Sequence, residues 1–358
     1  VPGAVSSWVE LSRRFGALDF EDLFQPAIDY AENGFPVSPQ TAASWRRAAV
    51  RYADFPEWQR VFAPAGRTPD VGERFRLPDH GRTLRLIADT RGRDFYEGSL
   101  AEQMADVSAR DGGLLDLDDL RSHRIEEVSP LEIPLGSATV HELPPNGQGL
   151  AALIAMGIID HHEVRTLDPD DPGTIHTMAE AMKIGFAESF RIIADPELMT
   201  RDPRTLLAPD RLARFAGMIG PTASSLEFPW SQWNSTVYLA TADRDGHAVS
   251  FIQSNFEGFG SGVVVDGTGI SLQNRATGFH PDPGHPGHIR GGVRPFHTII
   301  PGFVTRNAQA IMPFGIMGGP MQAQGHLQFA FRCLLAGQNP QEALDAPRWR
   351  LFDGVRLE

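Results

Sequence analysis

NSTVYLATADRDGHAVSFIQS, residues 234–254, is the stretch on which the reading of this chain turns. Two apolar, β-branched runs, Thr236 to Ala242 and Ala248 to Gln253, flank Asp243-Arg244-Asp245-Gly246. Asp-Gly between such runs is a strong local hairpin signal, because glycine accepts the positive φ that a tight turn requires. A buried β-hairpin is predicted here.

The way the chain enters this hairpin suggests chemistry. Residues Met218 to Trp233 have poor periodicity, are rich in Gly, Pro, Ser and Trp, and read as an exposed linker. Ser235-Thr236 then heads the first strand. A hydroxyl residue at the head of a core strand, behind a cleavable stretch, is the layout of an N-terminal nucleophile hydrolase. Once the Ser235–Thr236 bond is broken, the Thr236 hydroxyl is the nucleophile and its own freed α-amine is the base. Such an amine titrates near about 7.7 to 8.0, so no separate histidine is required. The alternative reading is that Thr236 is an ordinary β-branched strand residue.

Further stretches bear on the choice: VPGAVSSW (1–8), FEDLFQPAIDYAENGFPVS (20–38), ELPPNGQGLAAL (142–153), TVYLATADRDGHAVSFIQS (236–254), FGSGVVVDGTGISLQNRATGF (259–279), GGVRPFHTIIPGFV (291–304), MGGPMQAQGH (317–326) and EALDAPRWR (342–350). In these blocks, in this order, the chain resembles the γ-glutamyltranspeptidase family over essentially its whole length. The resemblance implies an α+β fold, the αββα sandwich of the N-terminal nucleophile hydrolases. It also implies self-cleavage between Ser235 and Thr236. The products would be a mainly helical chain, 1–235, and a β-rich chain, 236–358, which stay associated as one domain. Thr236 takes the place of the catalytic threonine, and Ser254 that of the second threonine, which orients the nucleophile and its amine. The family's oxyanion donors are adjacent backbone N–H groups in a glycine-rich turn. The equivalent here is Gly318-Gly319-Pro320-Met321-Gln322, with Met321 and Gln322 as the expected donors. No cofactor and no metal are implied. The expected partners are a small-molecule amide and, as acceptor, water or an amino group.

Substrate recognition departs from the family pattern. The positions that hold the amino-acid end of a glutamyl group are here Phe256, Arg275 and Gly278, with Asn274 beside Arg275, and the family's paired serines are replaced by His297 and Thr298. A guanidinium where a carboxylate stood repels an ammonium and can grip a second carboxylate bidentately. The expected activity is therefore an amidohydrolase or acyltransferase whose acyl group carries a carboxylate, as in glutaryl-type or oxamate-like amides. Two alternatives stay open: ordinary γ-glutamyl hydrolysis or transfer acting on glutathione, and a catalytically inactive homologue that serves as a binding protein.

Composition sets outer limits. At 358 residues and 41% hydrophobic the chain can bury a large core. A net charge of −13, from 32 basic and 45 acidic residues, disfavours nucleic acid and anionic membranes as partners. The single cysteine, Cys333, lies in an apolar helical pattern and reads as a core thiol. No apolar run approaches the roughly 18 residues of a membrane span, and no signal peptide is seen. The chain opens at VPG, which in the family lies well inside the protein. Both ends are thus expected to be shortened, and the family's upstream carboxylate-binding arginine is not located. The compartment is left unassigned.

The coarse pattern before residue 122 is helical: 11–15, 20–33, 40–52, 82–87, 99–107 and 116–122, with 92–98 as a turn. Strands are predicted at 131–135 and 138–142, the first at a sheet edge because Pro134 cannot donate to a ladder. Helices follow at 150–160 and 174–194, then strands at 263–265, 269–272, 298–305 and 308–312, and helices at 322–336 and 340–346. Three signals keep a plain reading beside a functional one. The turn PPNGQG (144–149) is either a tight turn near the active-site cleft or a phosphate cradle without the P-loop lysine. GFGSG (258–262) opens no helix and reads as a close-packed turn. His280, His285 and His288 have ligand-like spacing but no cysteine or carboxylate at a fixed offset.

Overall fold

The computed structural model describes residues 1–162, 168–225 and 235–358. Of the predicted linker, 226–233 lies outside the described residues, as does Asn234; residues 220–225 are exposed. The chain packs as two units, 1–127 with 258–274, and 128–257 with 275–358. These limits follow packing and do not fall at the expected cleavage point.

The first unit is helical, with α1 (Ala4–Phe15), α2 (Gln25–Asn33), α3 (Pro39–Arg51), α4 (Pro56–Phe62), α5 (Pro78–Asp89), α6 (Arg93–Glu97), α7 (Ser99–Arg110) and α8 (Leu117–Ser122), and one short pair, β1 (Phe35–Pro36) with β2 (Arg74–Phe75). Proline stands in the first turn of α2 to α5, where its missing N–H costs nothing and its fixed φ favours the helix. Asp116 and Asp119 close a capping box at the start of α8. The stretch read as a turn at 92–98 is instead α6, with Gly92 and Gly98 bracketing the helix rather than breaking it. An aromatic cluster of Trp45, Tyr52, Trp58, Phe62 and Phe75 and an aliphatic one around Ile28, Ile87, Leu100 and Met104 form the interior. Residues 258–274 return to this unit and insert Val264 into the first cluster and Val265 into the second. Strands predicted at 263–265 and 269–272 reduce to one antiparallel bridge, Val264 to Ser271. GFGSG is a close-packed turn: Ser261 N–H donates to Leu272 O at 2.9 Å, and a Cβ on Gly260, at φ 70°, would collide with that same carbonyl.

The second unit mixes sheet and helix. Its strands are β3 (Leu131–Leu135), β4 (Ala138–Glu142), β5 (Ser235–Ala242), β6 (Ala248–Phe256), β7 (Gly302–Arg306) and β8 (Gln309–Phe314); its helices are α9 (Gly149–His161), α10 (Pro172–Phe190), α11 (Pro209–Ala216), α12 (Met321–Ala330) and α13 (Pro340–Asp345). A terminal ribbon, β9 (Leu351–Asp353) with β10 (Arg356–Leu357), completes it. β3, β4, β7 and β8 form one antiparallel sheet in that order, with Pro134 on the edge strand as expected. α9 is buried from Gly149 to Ile159, on every face, so it shows no amphipathic stripe. It packs with Met182 and Phe186 of α10, Val304 and Phe314 of the sheet, and Leu327 of α12 in one core. Cys333, in the π-helical turn after α12, is half-buried against this core, and burial pushes its thiol up to about 11. None of the described helices is long and apolar enough to cross a membrane.

β5 and β6 pair as a hairpin, but it is not the buried one expected: Val237, Leu239 and Val249 are 58%, 44% and 43% exposed. Alternation explains this. These three side chains share one face, while the other face, with Tyr238 and Ser250, packs against Gly315 and Phe314.

Helices α9 and α10 pack closely at Gly185, where an added Cβ would stand 2.5 Å from the Ala151 carbonyl oxygen. Both partners are backbone, so neither can step aside. Gly185→Ala is expected to lower stability by about 1–3 kcal/mol in denaturant unfolding, whereas Gly291→Ala, with open space around it, stays within about 0.5 kcal/mol of wild type.

Candidate active site

The hairpin turn is built by Asp243, whose Oδ1 accepts from the N–H groups of Asp245 and His247 at 2.9 and 3.0 Å, and by Gly246 at φ 91°. From it the strands run with regular register from Ala242 opposite Ala248 to Val237 opposite Gln253. The register then slips, and Ser235 pairs with Phe256. Thr236 thus stands at a β-bulge, a device that re-aims side chains at a strand end. Thr236 Oγ donates to Ser254 Oγ at 3.2 Å. Ser254 Oγ also accepts the Phe256 N–H at 2.8 Å, which fixes its position from the far side. Phe256 itself has φ 76°, a left-handed backbone rare for an aromatic residue and costing about 1–3 kcal/mol.

The Phe256 ring lies under a guanidinium, with Arg275 Cζ 4.8 Å from its centroid. Arg275 is 5% exposed, and its Nη1 donates to Thr298 Oγ at 2.6 Å. Burial lowers its pKa to about 10, so it is still a cation at neutral pH. His297 is pushed down to about 3, by burial first and then by the Arg275 charge. Its Nδ1 accepts the Ile299 N–H at 3.3 Å, so the ring is neutral with the proton on Nε2.

A glycine-rich turn ties these parts together. His297 N–H donates to Asn146 O at 2.9 Å and Gln148 N–H to His297 O at 3.0 Å. The fully buried Gln148 side chain donates from Nε2 to Thr298 O at 2.5 Å and to Gly319 O at 2.8 Å. Gln322 Oε1, equally buried, accepts the Ile300 N–H at 3.1 Å. Below the turn, His326 Nδ1 donates to Glu142 Oε1 at 2.5 Å, and His326 Nε2 accepts the Ile316 N–H at 3.2 Å; this pair sets where the run from Ile316 to Gly319 begins.

Of the residues expected at the site, Thr236, Ser254, Phe256, Arg275, His297 and Thr298 come together in this unit. Ser235 opens β5 opposite Phe256. Asn274 is the last residue of the other unit and is half-buried. Met321 and Gln322, the expected oxyanion donors, stand at the start of α12. Their N–H groups are already committed, to Gly318 O at 3.1 Å and Gly319 O at 3.0 Å, because α12 begins at Met321 and these bonds close its first turn. The sequence reading missed Gln148, Glu142 and His326. Gln148 sits in a turn whose glycines drew attention to the backbone alone. In the loop 280–288, His280 and His285 stack at 3.9 Å, and no group of three metal-ligating side chains occurs among the described residues.

Residues 1–358 match the profile of the gamma-glutamyltranspeptidase family. The chain is 37% identical, over its full length, to 70% of the oxamate amidohydrolase proenzyme of Klebsiella pneumoniae. It is 32% identical, again over its full length, to 69% of the glutathione hydrolase-like YwrD proenzyme of Bacillus subtilis. In structure it superposes on a cephalosporin acylase from Bacillus halodurans with a TM-score of 0.94 and 44% identity, covering 99% of this chain and 66% of that one. It therefore spans about two thirds of the length of these relatives. Matched from end to end by the family profile and by relatives of this similarity, the chain belongs to the gamma-glutamyltranspeptidase family.

Proposed function

We propose that this chain is the catalytic body of a self-processing amidohydrolase, with acyltransferase capacity, acting on small amides whose acyl group carries a carboxylate. The observation that carries the reading is the buried Arg275, held between Thr298 and the ring of Phe256, the latter on the strand end that also bears Ser254. The proenzyme names of the relatives, an oxamate amidohydrolase among them, support it.

In this scheme Thr236 Oγ first attacks the Ser235 carbonyl carbon, the chain shifts from nitrogen to oxygen, and water hydrolyses the ester. Ser235 is left as a carboxylate and Thr236 with a free α-amine. In turnover, Thr236 Oγ adds to the substrate carbonyl while its proton passes to that amine. Collapse of the tetrahedral intermediate expels the leaving amine, which takes the proton. Water then releases the acid from the acyl ester, or an amino acceptor forms a new amide. The Ser254 hydroxyl orients the nucleophile, and the Arg275 guanidinium holds the distal carboxylate. For the oxyanion donors we assign Gly318 and Gly319, whose N–H groups carry no hydrogen bond among the described residues, in place of Met321 and Gln322.

Chains 1–235 and 236–358 stay associated in this scheme, since Leu150, Ile154 and Met182 share one core with Val304, Phe314 and Leu327. The αββα sandwich is proposed on the same footing, with the four-stranded sheet and the hairpin as its strands and α9, α10 and α12 among its helices. Ordinary γ-glutamyl chemistry fits less well, because the α-ammonium of a glutamyl group would meet a cation at Arg275. An inactive binding protein would not need the Thr236–Ser254 bond at the bulge.

Replacement of the nucleophile separates these readings. Thr236→Ala is expected to abolish both cleavage and activity. Ser254→Ala, losing one orienting bond of about 1–3 kcal/mol, lowers both by roughly fivefold to over a hundredfold. Mass spectrometry of the purified chain and amide hydrolysis are the readouts, and residual activity of the Thr236→Ala protein equal to wild type would sink the assignment.

Arg275→Gln tests the substrate class. Loss of a charge-assisted pair of about 1.5–3 kcal/mol should cut kcat/KM for glutaryl and oxalyl amides tenfold to over a hundredfold, with neutral acyl amides little changed. If all substrates fall together, Arg275 only braces its loop. Faster turnover of γ-glutamyl than of glutaryl amides by wild type would restore ordinary γ-glutamyl chemistry.

A further inference from the structure

α10 carries two buried charges, Glu180 at 4% and Lys183 at 2% exposure, in an otherwise apolar stretch of the core. They pair with each other, Lys183 Nζ to Glu180 Oε1 at 2.6 Å. Taking two charges out of water costs several kcal/mol each, so a buried pair is weak evidence of added stability and calls for another reason. Their remaining contacts supply one. Lys183 Nζ donates to Ser224 O at 2.7 Å, while Glu180 Oε2 accepts the Ser224 N–H at 3.1 Å and the Ser224 hydroxyl at 2.5 Å. Every polar group of one residue is therefore gripped, although Ser224 is itself exposed and belongs to no helix or strand. One helical turn before Glu180 along α10, His176 Nε2 donates to Gly220 O at 2.8 Å, a second hold on the same outgoing chain. Burial by itself would raise the Glu180 carboxyl; Lys183 and Ser224 outweigh it and hold the group below its usual range, so it is ionised at neutral pH.

Ser224 lies between the end of α11 at Ala216 and the start of β5 at Ser235. We propose that Glu180 and Lys183 are a clamp on the chain that leads into the cleavage point: positioning residues for self-cleavage at Ser235–Thr236, with no part in substrate turnover. The inference rests on the self-processing reading above. The clamp divides the chain so that only residues 225–234 lie between two fixed points, where 221–234, beyond the hold at Gly220, would lie without it. Fewer residues between fixed points mean a smaller entropic cost of holding the scissile bond at Thr236. After cleavage the same contacts hold the tail of the 1–235 chain.

The test follows self-cleavage of the full chain over time by mass spectrometry, with hydrogen exchange of residues 217–225 measured in parallel. Lys183→Met and the double variant Glu180→Gln/Lys183→Met remove the grip. Ser224→Pro removes the N–H and hydroxyl from the exposed side and leaves the core helix untouched, so it reports even if the buried variants fold poorly. Expected is cleavage slowed by about two- to tenfold with faster exchange at 217–225, while kcat/KM per cleaved molecule stays within about twofold of wild type. Wild-type cleavage rates in variants whose 217–225 amides exchange faster would overturn the clamp alone, as would an equal fall in kcat/KM of the cleaved enzyme. A wild-type chain that stays intact overturns the self-processing reading and the clamp together.

Discussion

A guanidinium held out of water between an aromatic face and a hydroxyl is the interaction on which the arrangement of this site depends. Removing the Arg275 charge from solvent costs several kcal/mol. A desolvated cation–π contact of about 2 kcal/mol and a charge-assisted bond of about 1.5–3 kcal/mol offset that cost, provided Phe256 and Thr298 are where they are. Phe256 can be there only in a left-handed backbone conformation, and that conformation points its N–H at the oxygen of Ser254. The strain at one residue thus links the cation to the hydroxyl that touches the proposed nucleophile. Burial and the same cation keep His297 neutral, which removes a titrating group from the middle of the site.

Rigidity comes from chain segments far apart in sequence sharing hydrogen bonds. Gln148 bridges the run at Thr298 and the turn at Gly319. Glu142 and His326 then set the start of that turn from beneath. The Gln148 and His326 side chains are fully buried, where an unmade bond costs about 1–3 kcal/mol, so the proposed oxyanion turn has little freedom to drift.

How much of this was legible depended on whether the signal was local. The strands LEIPL (131–135) and ATVHE (138–142) were legible to the residue, because alternation is a local property. The Thr236 to Ser254 contact was likewise legible from one stretch of sequence and a family pattern. Exposure of the hairpin face was not, since Val237 and Leu239 look the same in a strand whether or not anything covers them. For the oxyanion donors the sequence leaves the start of a helix open: whether an N–H is available depends on where α12 begins, and Pro320 followed by Met321 does not fix that. The segment 263–272 has strand composition, yet it returns to a helical unit where only Ser271 is there to bridge Val264. Gln148, Glu142 and His326 are invisible in sequence for a simpler reason. Their roles lie in partners up to 184 positions away.

The slipped register at the end of the hairpin bears on how this sequence can change over evolutionary time. Two residues of β6 between Gln253 and Phe256 face the single Thr236 of β5. Deleting one of them would restore a regular ladder with Ser235 still opposite Phe256, and would remove the bulge that re-aims the Phe256 ring toward Arg275. Point substitutions at this strand end change one contact at a time, and drift of that kind can retune the pocket. Length changes would exchange one set of contacts for another in a single step. Between Gln253 and Phe256, then, relatives of this chain are free to vary in residue type far more than in residue number.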